Sequence, residues 1–232
     1  MRPRWGLLAP IIFVSACGGD TDDELHVLAA ASLVDVAAAF EADYEAAAPG
    51  VDVVINSAGS NALVQLVNQG AEVDVFLPAN REVLDRLEVA HDDLGTLATN
   101  SLTIAVPPGN PADVTSVDDL ARPELLIAAC AVGVPCGDAT VQLPVEVAAD
   151  TFESNVRQVA AKVAAGEVDA GVVYVSDIAA LDGIEEVRIP ANVTATVEIP
   201  IVLVGEAGTD FAAFAQGSRG RELLAQAGFA TT

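Results

Sequence analysis

Short apolar runs alternate along this chain with stretches whose apolar residues recur every three or four positions. "LHVLAA" (25–30) reads as a buried strand, and Leu33, Val36, Ala37, Phe40 and Tyr44 then share one helical face until Pro49-Gly50 stops it. "VDVVIN" (51–56) predicts a second strand. Leu63, Leu66 and Val67 place a helix that Gly70 closes, and "VDVFLPA" (73–79) predicts a third strand before a helix around Val83, Leu84 and Leu87. Beyond residue 100 come a strand, a Pro-rich turn and a short helix begun at Thr115 or Ser116. "LLIAACAV" (125–132) reads as a strand, "VPCGDAT" (134–140) as a loop, and residues 154–166 as a helix. Ser154 or Asn155 can cap that helix, and Val156, Val159 and Val163 line one of its faces. "DAGVVYVSD" (169–177) and "TVEIPIVLV" (196–204) predict two more strands, and Asp210 opens a final helix through Phe211 and Phe214. The alternation is that of an α/β protein. The late strand and helix suggest a chain that leaves one domain, builds a second and returns.

Composition narrows this picture. Apolar residues make up 52% of the 232 and aromatics only 4%, so the chain folds around aliphatic cores. Thirty-four acidic residues stand against ten basic ones, a net charge of −24, which argues against a nucleic-acid partner. Arg2 and Arg4 precede a short apolar stretch, Leu7–Val14, and "VSAC" ends in Cys17. That run is too short for a comfortable membrane span and suits a signal peptide over residues 1–16. "VSAC" resembles a bacterial lipobox, which would make Cys17 the lipidated first residue of the mature protein and 17–24 its flexible tether. Ordinary cleavage or an uncleaved anchor are the alternatives. Export also permits a disulfide between Cys130 and Cys136, the alternative being two separate buried thiols. The two histidines, His26 and His91, sit at no ligand spacing from a cysteine, so no metal site is expected. Lys162 falls on the face of its helix away from the valines and is expected to be solvated.

Several polar loops lie where a strand gives way to a helix. Ser32 and Ser60 begin two helices, Cys136 and Gly137 follow a strand, and Val156 stands in a first helical turn. Helix N-termini carry free N–H donors and partial positive charge, so each is a candidate anion contact needing no cationic side chain. Taken singly, Ser32 and Ser60 each read first as an N-cap, and only the set of such termini favours a ligand. No G-x-S-x-G elbow or Walker-type loop exists, and neither histidine is placed to activate a serine.

"AAASL" (29–33), "SAGSNALVQLVNQGAEVDVFLPAN" (57–80), "NSLTIAVP" (100–107), "VPCG" (134–137), "NVRQV" (155–159) and "GEVDAGVVYVSD" (166–177) together resemble the periplasmic molybdate-binding proteins of ABC importers, in order and over nearly the whole mature chain. The resemblance implies a two-lobe periplasmic-binding-protein type II fold, each lobe a mixed sheet flanked by helices, with two crossover strands. Lobe 1 would comprise 25–100 and 196–232, and lobe 2 101–195. It implies ligand contacts at Ser32, Ser60, Cys136, Val156 and Tyr174, with no catalytic residue, no cofactor and no metal beyond the molybdate or tungstate itself. It further implies a monomer anchored to the outer face of the cell membrane, with an importer permease and ATPase as partners. Two departures stand out: Cys136 replaces a common Ala, and the segment from Pro135 to Val156 is shorter than the family pattern. Another oxyanion such as sulfate, an enzyme on the same scaffold, and a surface interaction protein are the competing readings.

Overall fold

The computed structural model describes residues 23–231; the expected signal peptide, Cys17 and most of the expected tether lie outside them. Asp23 and Glu24, assigned above to that tether, instead open the first strand, because Asp23 N–H is already held by the Gly50 carbonyl.

Among the described residues, nine strands form one continuous, strongly mixed sheet. The first lobe contains β1 (Asp23–Ala30), β2 (Val51–Ala58) and β3 (Val75–Leu77), with β2 and β3 both parallel to β1. Helices α1 (Val34–Ala47) and α2 (Ser60–Asn68) make the crossovers, as parallel pairing requires. The second lobe contains β5 (Ile127–Cys130), β6 (Thr151–Glu153) and β7 (Ala170–Tyr174), with β6 and β7 parallel to β5. Its helices are α3 (Pro135–Thr140), α4 (Val156–Ala164) and α5 (Val175–Ala180), and β8 (Glu185–Val187) adds a short antiparallel strand to its sheet, paired with residues 104–106.

Two antiparallel strands join these halves. β4 (Asp92–Val106) pairs with β9 (Thr196–Leu203) through Ser101, and from Leu102 onward it pairs with β7. Its side chains change cores at the same point: Leu97 and Ala98 pack with the first lobe, Leu102, Ile104 and Val106 with the second. At the changeover the buried Asn100 donates to Ser176 Oγ at 2.8 Å. The chain then finishes on the first lobe with α6 (Thr209–Gln216) and α7 (Ser218–Gln226), which break at Gly217.

Aromatic residues are few, and four of them share one place. Phe40 and Tyr44 of α1 meet Phe211 and Phe214 of α6 edge to face, at centroid distances of 5.2–6.2 Å. Such edge contacts add to simple area burial, and they fasten the returning C-terminal helices onto the lobe where the chain began.

Several expected elements differ in kind or extent. "VPCGDAT" is helical from Pro135, since Pro suits the first helical position and lacks only an N–H that would have no partner there. "VSD" leaves the strand to open α5, and Val83 and Leu84 lie in a 3-10 turn, Glu82–Arg86. The expected strands at 73–79 and 125–132 shorten to β3 and β5, while β4 starts eight residues earlier than its apolar core suggested. Lys162 is not simply solvated; its Nζ pairs with Glu153 Oε1 at 2.7 Å.

Candidate functional site

The five sequence-predicted contacts converge on one narrow cavity between the lobes. Ser32 and Ser60 form part of its first-lobe wall, and Cys136, Val156 and Tyr174 part of the opposite wall. Ser32, Ser60 and Val156 lie just past the C-terminal ends of β1, β2 and β6, Tyr174 is the last residue of β7, and Cys136 follows β5 after a short loop. Open α/β sheets bind ligands at such strand ends. The cavity is small, about 10 Å³ in volume. It therefore suits one small body and no extended ligand.

Neither serine is a helix cap. The N-cap of α2 is Gly59, so Ser60 is the first helical residue, and Ser32 sits inside a 3-10 turn, Ala31–Leu33, with no capping bond. The hydroxyls are consequently free for other work. Ser60 Oγ accepts the Ala79 N–H at 3.0 Å, which leaves its own proton to donate into the cavity. Ser32 Oγ and Tyr174 Oη are buried and have no hydrogen-bond partner within the protein. Buried polar groups are almost always paired, so two orphans on one small cavity point to a ligand. Ser60, Cys136 and Val156 lie in the first turns of α2, α3 and α4, where N–H groups have no intrahelical acceptor.

Among the described residues, no charged side chain lines the cavity. Burial, reinforced by Asp177, Asp138 and Glu82, pushes the Tyr174 phenol well above its ordinary pKa, so it is a proton donor at every physiological pH. Arg157 follows Val156 directly but is directed elsewhere. Its Nε sits 2.9 Å from Asp177 Oδ1 and its guanidinium reaches Asp35 of the other lobe at 2.5 Å. Asp177 is fully buried and also accepts the Tyr174 N–H at 3.0 Å, so it fixes the backbone that carries the phenol. Burial raises the Asp177 pKa to about 6 against the opposing effects of Arg157 and that N–H bond.

Asp35, Arg157 and Asp177 escaped the sequence reading. The three-residue offset from Tyr174 to Asp177, a capping-box spacing, was the available signal. Cys130 and Cys136 are joined by a disulfide, which ties the end of β5 to the first turn of α3. Among the described residues no group of three or more His, Cys, Asp or Glu side chains is arranged to hold a metal ion.

Two α/β lobes, two strands running through both, and a cavity of neutral donors between them define a two-lobed solute-binding protein. The chain belongs to the bacterial extracellular solute-binding protein family, whose pattern it matches over residues 25–230. It is 34% identical over 217 residues to the molybdate-binding protein ModA of Mycobacterium tuberculosis, covering 88% of this chain and 83% of that one. It is 30% identical over 188 residues to YvgL of Bacillus subtilis, named as a candidate ABC transporter substrate-binding lipoprotein, covering 73% and 72%. Among solved structures, the Azotobacter vinelandii periplasmic molybdate-binding protein superposes with a TM-score of 0.73 at 20% identity, over 90% of this chain and 99% of that one. The sulfate-binding protein SubI of M. tuberculosis superposes with a TM-score of 0.81, also at 20% identity, over 89% and 86%. The fold is thus shared by proteins named for different oxyanions, and the ligand has to be argued from the donor set.

Proposed function

We propose that this protein captures molybdate, and tungstate with it, outside the cytoplasm and delivers it to an ABC importer. The observation that carries the reading is the pair of orphaned buried hydroxyls, Ser32 and Tyr174, on a cavity that no charged side chain lines. Molybdate, tungstate and sulfate carry no proton near neutral pH and only accept hydrogen bonds. Hydroxyls of Ser32, Ser60 and Tyr174, with first-turn N–H groups at Ser60, Cys136 and Val156, present donors from both lobes. A protonated phosphate would have to donate in turn, and none of the five positions supplies a carboxylate for it. Hydrogen bonds to a charged acceptor are about twice as strong as neutral ones, and enclosure between two lobes strengthens them further.

The identity to ModA over most of both chains favours molybdate over sulfate. The lipobox-like "VSAC" and the likeness to YvgL support a lipid anchor at Cys17 on the outer face of the membrane. Titration calorimetry with molybdate, tungstate, sulfate and phosphate tests the reading. Molybdate and tungstate are expected to bind far more tightly than phosphate. Tight sulfate binding with no molybdate heat would refute it.

A further inference from the structure

The loop closed by the disulfide also reaches across the cleft. Between Cys130 and Cys136 the chain turns at Gly133, whose φ of +87° is a left-handed conformation that glycine adopts without strain. Inside its own lobe the loop is held at several points. Ala131 N–H donates to the Glu153 carbonyl at 2.9 Å, Val134 N–H to the Ala131 carbonyl at 3.1 Å, and Gly133 N–H to Asp138 Oδ1 at 2.7 Å. The Gly133 carbonyl is left facing the other lobe. There it accepts Asn61 Nδ2 at 2.7 Å and Arg86 Nη1 at 3.1 Å, and Arg86 Nη1 also meets Asn61 Oδ1 at 2.8 Å.

Asn61 stands one residue beyond Ser60, and Gly133 three residues before Cys136. The contact therefore joins the two helix starts that carry first-lobe and second-lobe donors. Arg86 is itself fastened to α2, since its carbonyl accepts Asn68 Nδ2 at 2.9 Å.

We infer that Asn61, Arg86 and the disulfide-bounded Gly133 carbonyl form a clasp that sets how long the bound oxyanion is retained. The inference rests on the oxyanion reading above. None of these three groups, two side chains and a backbone carbonyl, has to touch the ligand. The side chains' contacts to the Gly133 carbonyl form only when the lobes meet, so they act on release and not on encounter. The disulfide is part of the clasp because it fixes both ends of the loop that presents the carbonyl. A reduced loop keeps its internal hydrogen bonds but gains freedom at Cys136, and the closed-state carbonyl must then be ordered anew at each closure.

The experiment measures association and dissociation rates by stopped flow, with molybdate as probe. The proteins are the wild type, Asn61→Ala, Arg86→Ala and the double variant, each oxidised and each reduced with a phosphine. If the wild type releases sulfate in place of molybdate, sulfate becomes the probe; the ligand assignment then fails while the clasp is still measured. Asn61→Ala is expected to raise the dissociation rate roughly threefold to tenfold, as one or two lost hydrogen bonds imply, with the association rate unchanged. Reduction of the wild type should raise it as well, and reduction of the double variant should add little, because the clasp is already gone. A dissociation rate within twofold of wild type in the double variant would overturn the inference. So would a full, independent effect of reduction in that variant, since the disulfide would then act through Cys136 alone. Unchanged ligand-free melting of Asn61→Ala separates the clasp from a general loss of fold.

Discussion

Tyr174→Phe removes a single oxygen from the cavity wall and should move stability and affinity in opposite directions. The residue is 1% exposed and its hydroxyl has no partner within the protein. Burying an unpaired hydroxyl costs about 1–3 kcal/mol on mutational scales. Deleting it should therefore raise ligand-free stability by about 1 kcal/mol, or about 2–4 °C in melting temperature for a chain of this size. The same deletion removes a hydrogen bond to a charged ligand, worth about 1.5–3 kcal/mol, which weakens binding roughly tenfold to 150-fold. Calorimetric titration with molybdate reads the affinity, and scanning calorimetry without ligand reads the stability. At a molybdate concentration about 100 times the wild-type dissociation constant, the wild type gains about 2.7 kcal/mol. At that same concentration a tenfold weaker variant gains about half as much. If the variant melts several degrees lower without ligand and binds within twofold of wild type, the phenol is a packing group and the reasoning from orphaned hydroxyls fails.

Ser60→Ala should behave differently, because Ser60 Oγ accepts the buried Ala79 N–H. Binding should weaken by about 1.5–3 kcal/mol and ligand-free stability should fall as well, by about 1–3 kcal/mol, as that N–H loses its partner; a rise in the ligand-free melting temperature would contradict this. Asp177 predicts a pH effect. Its folded pKa of about 6 lies above the unfolded 3.8, so the native state holds the proton more tightly and stability contributed by this residue falls as pH rises from about 4 to about 6. Wild-type stability measured relative to Asp177→Asn should therefore drop by about 2 kcal/mol between pH 4 and pH 7 in urea titrations, and parallel pH curves for the two proteins would refute it. The net charge of −24 should repel an approaching dianion, so the association rate is expected to rise as salt is added; a falling rate in stopped flow would show that a local positive field dominates.

The α/β class and the order of the elements were legible in the amino-acid sequence because strand and helix periodicities are local properties. Four of the cavity positions, Ser32, Ser60, Cys136 and Val156, stood at junctions where an apolar run gives way to a helix, whereas Tyr174 came only with the family resemblance. Periodicity failed where context decided the backbone. "VPCGDAT" looks like a loop by its small and turn-forming residues, yet Pro135 is pre-set for a helix start and Cys136 is held to β5 by its disulfide. The two serines looked like caps, but Gly59 takes the cap of α2, and Ser60 turns its hydroxyl to Ala79, nineteen residues on.

What the tertiary structure alone decided was the company each residue keeps. Arg157 adjoins a ligand position in sequence and could have been read as the missing cation of the site. Only the fold shows its guanidinium spent between Asp177 and, across the cleft, Asp35. Gly133 and Asn61 are 72 residues apart and carry no shared pattern, and their 2.7 Å contact exists because β4 and β9 set two lobes face to face. Sequence determined which groups could donate to an anion. The distances across the cleft determined that the site's charge balance comes from neutral donors, with the nearby cation consumed in joining the lobes.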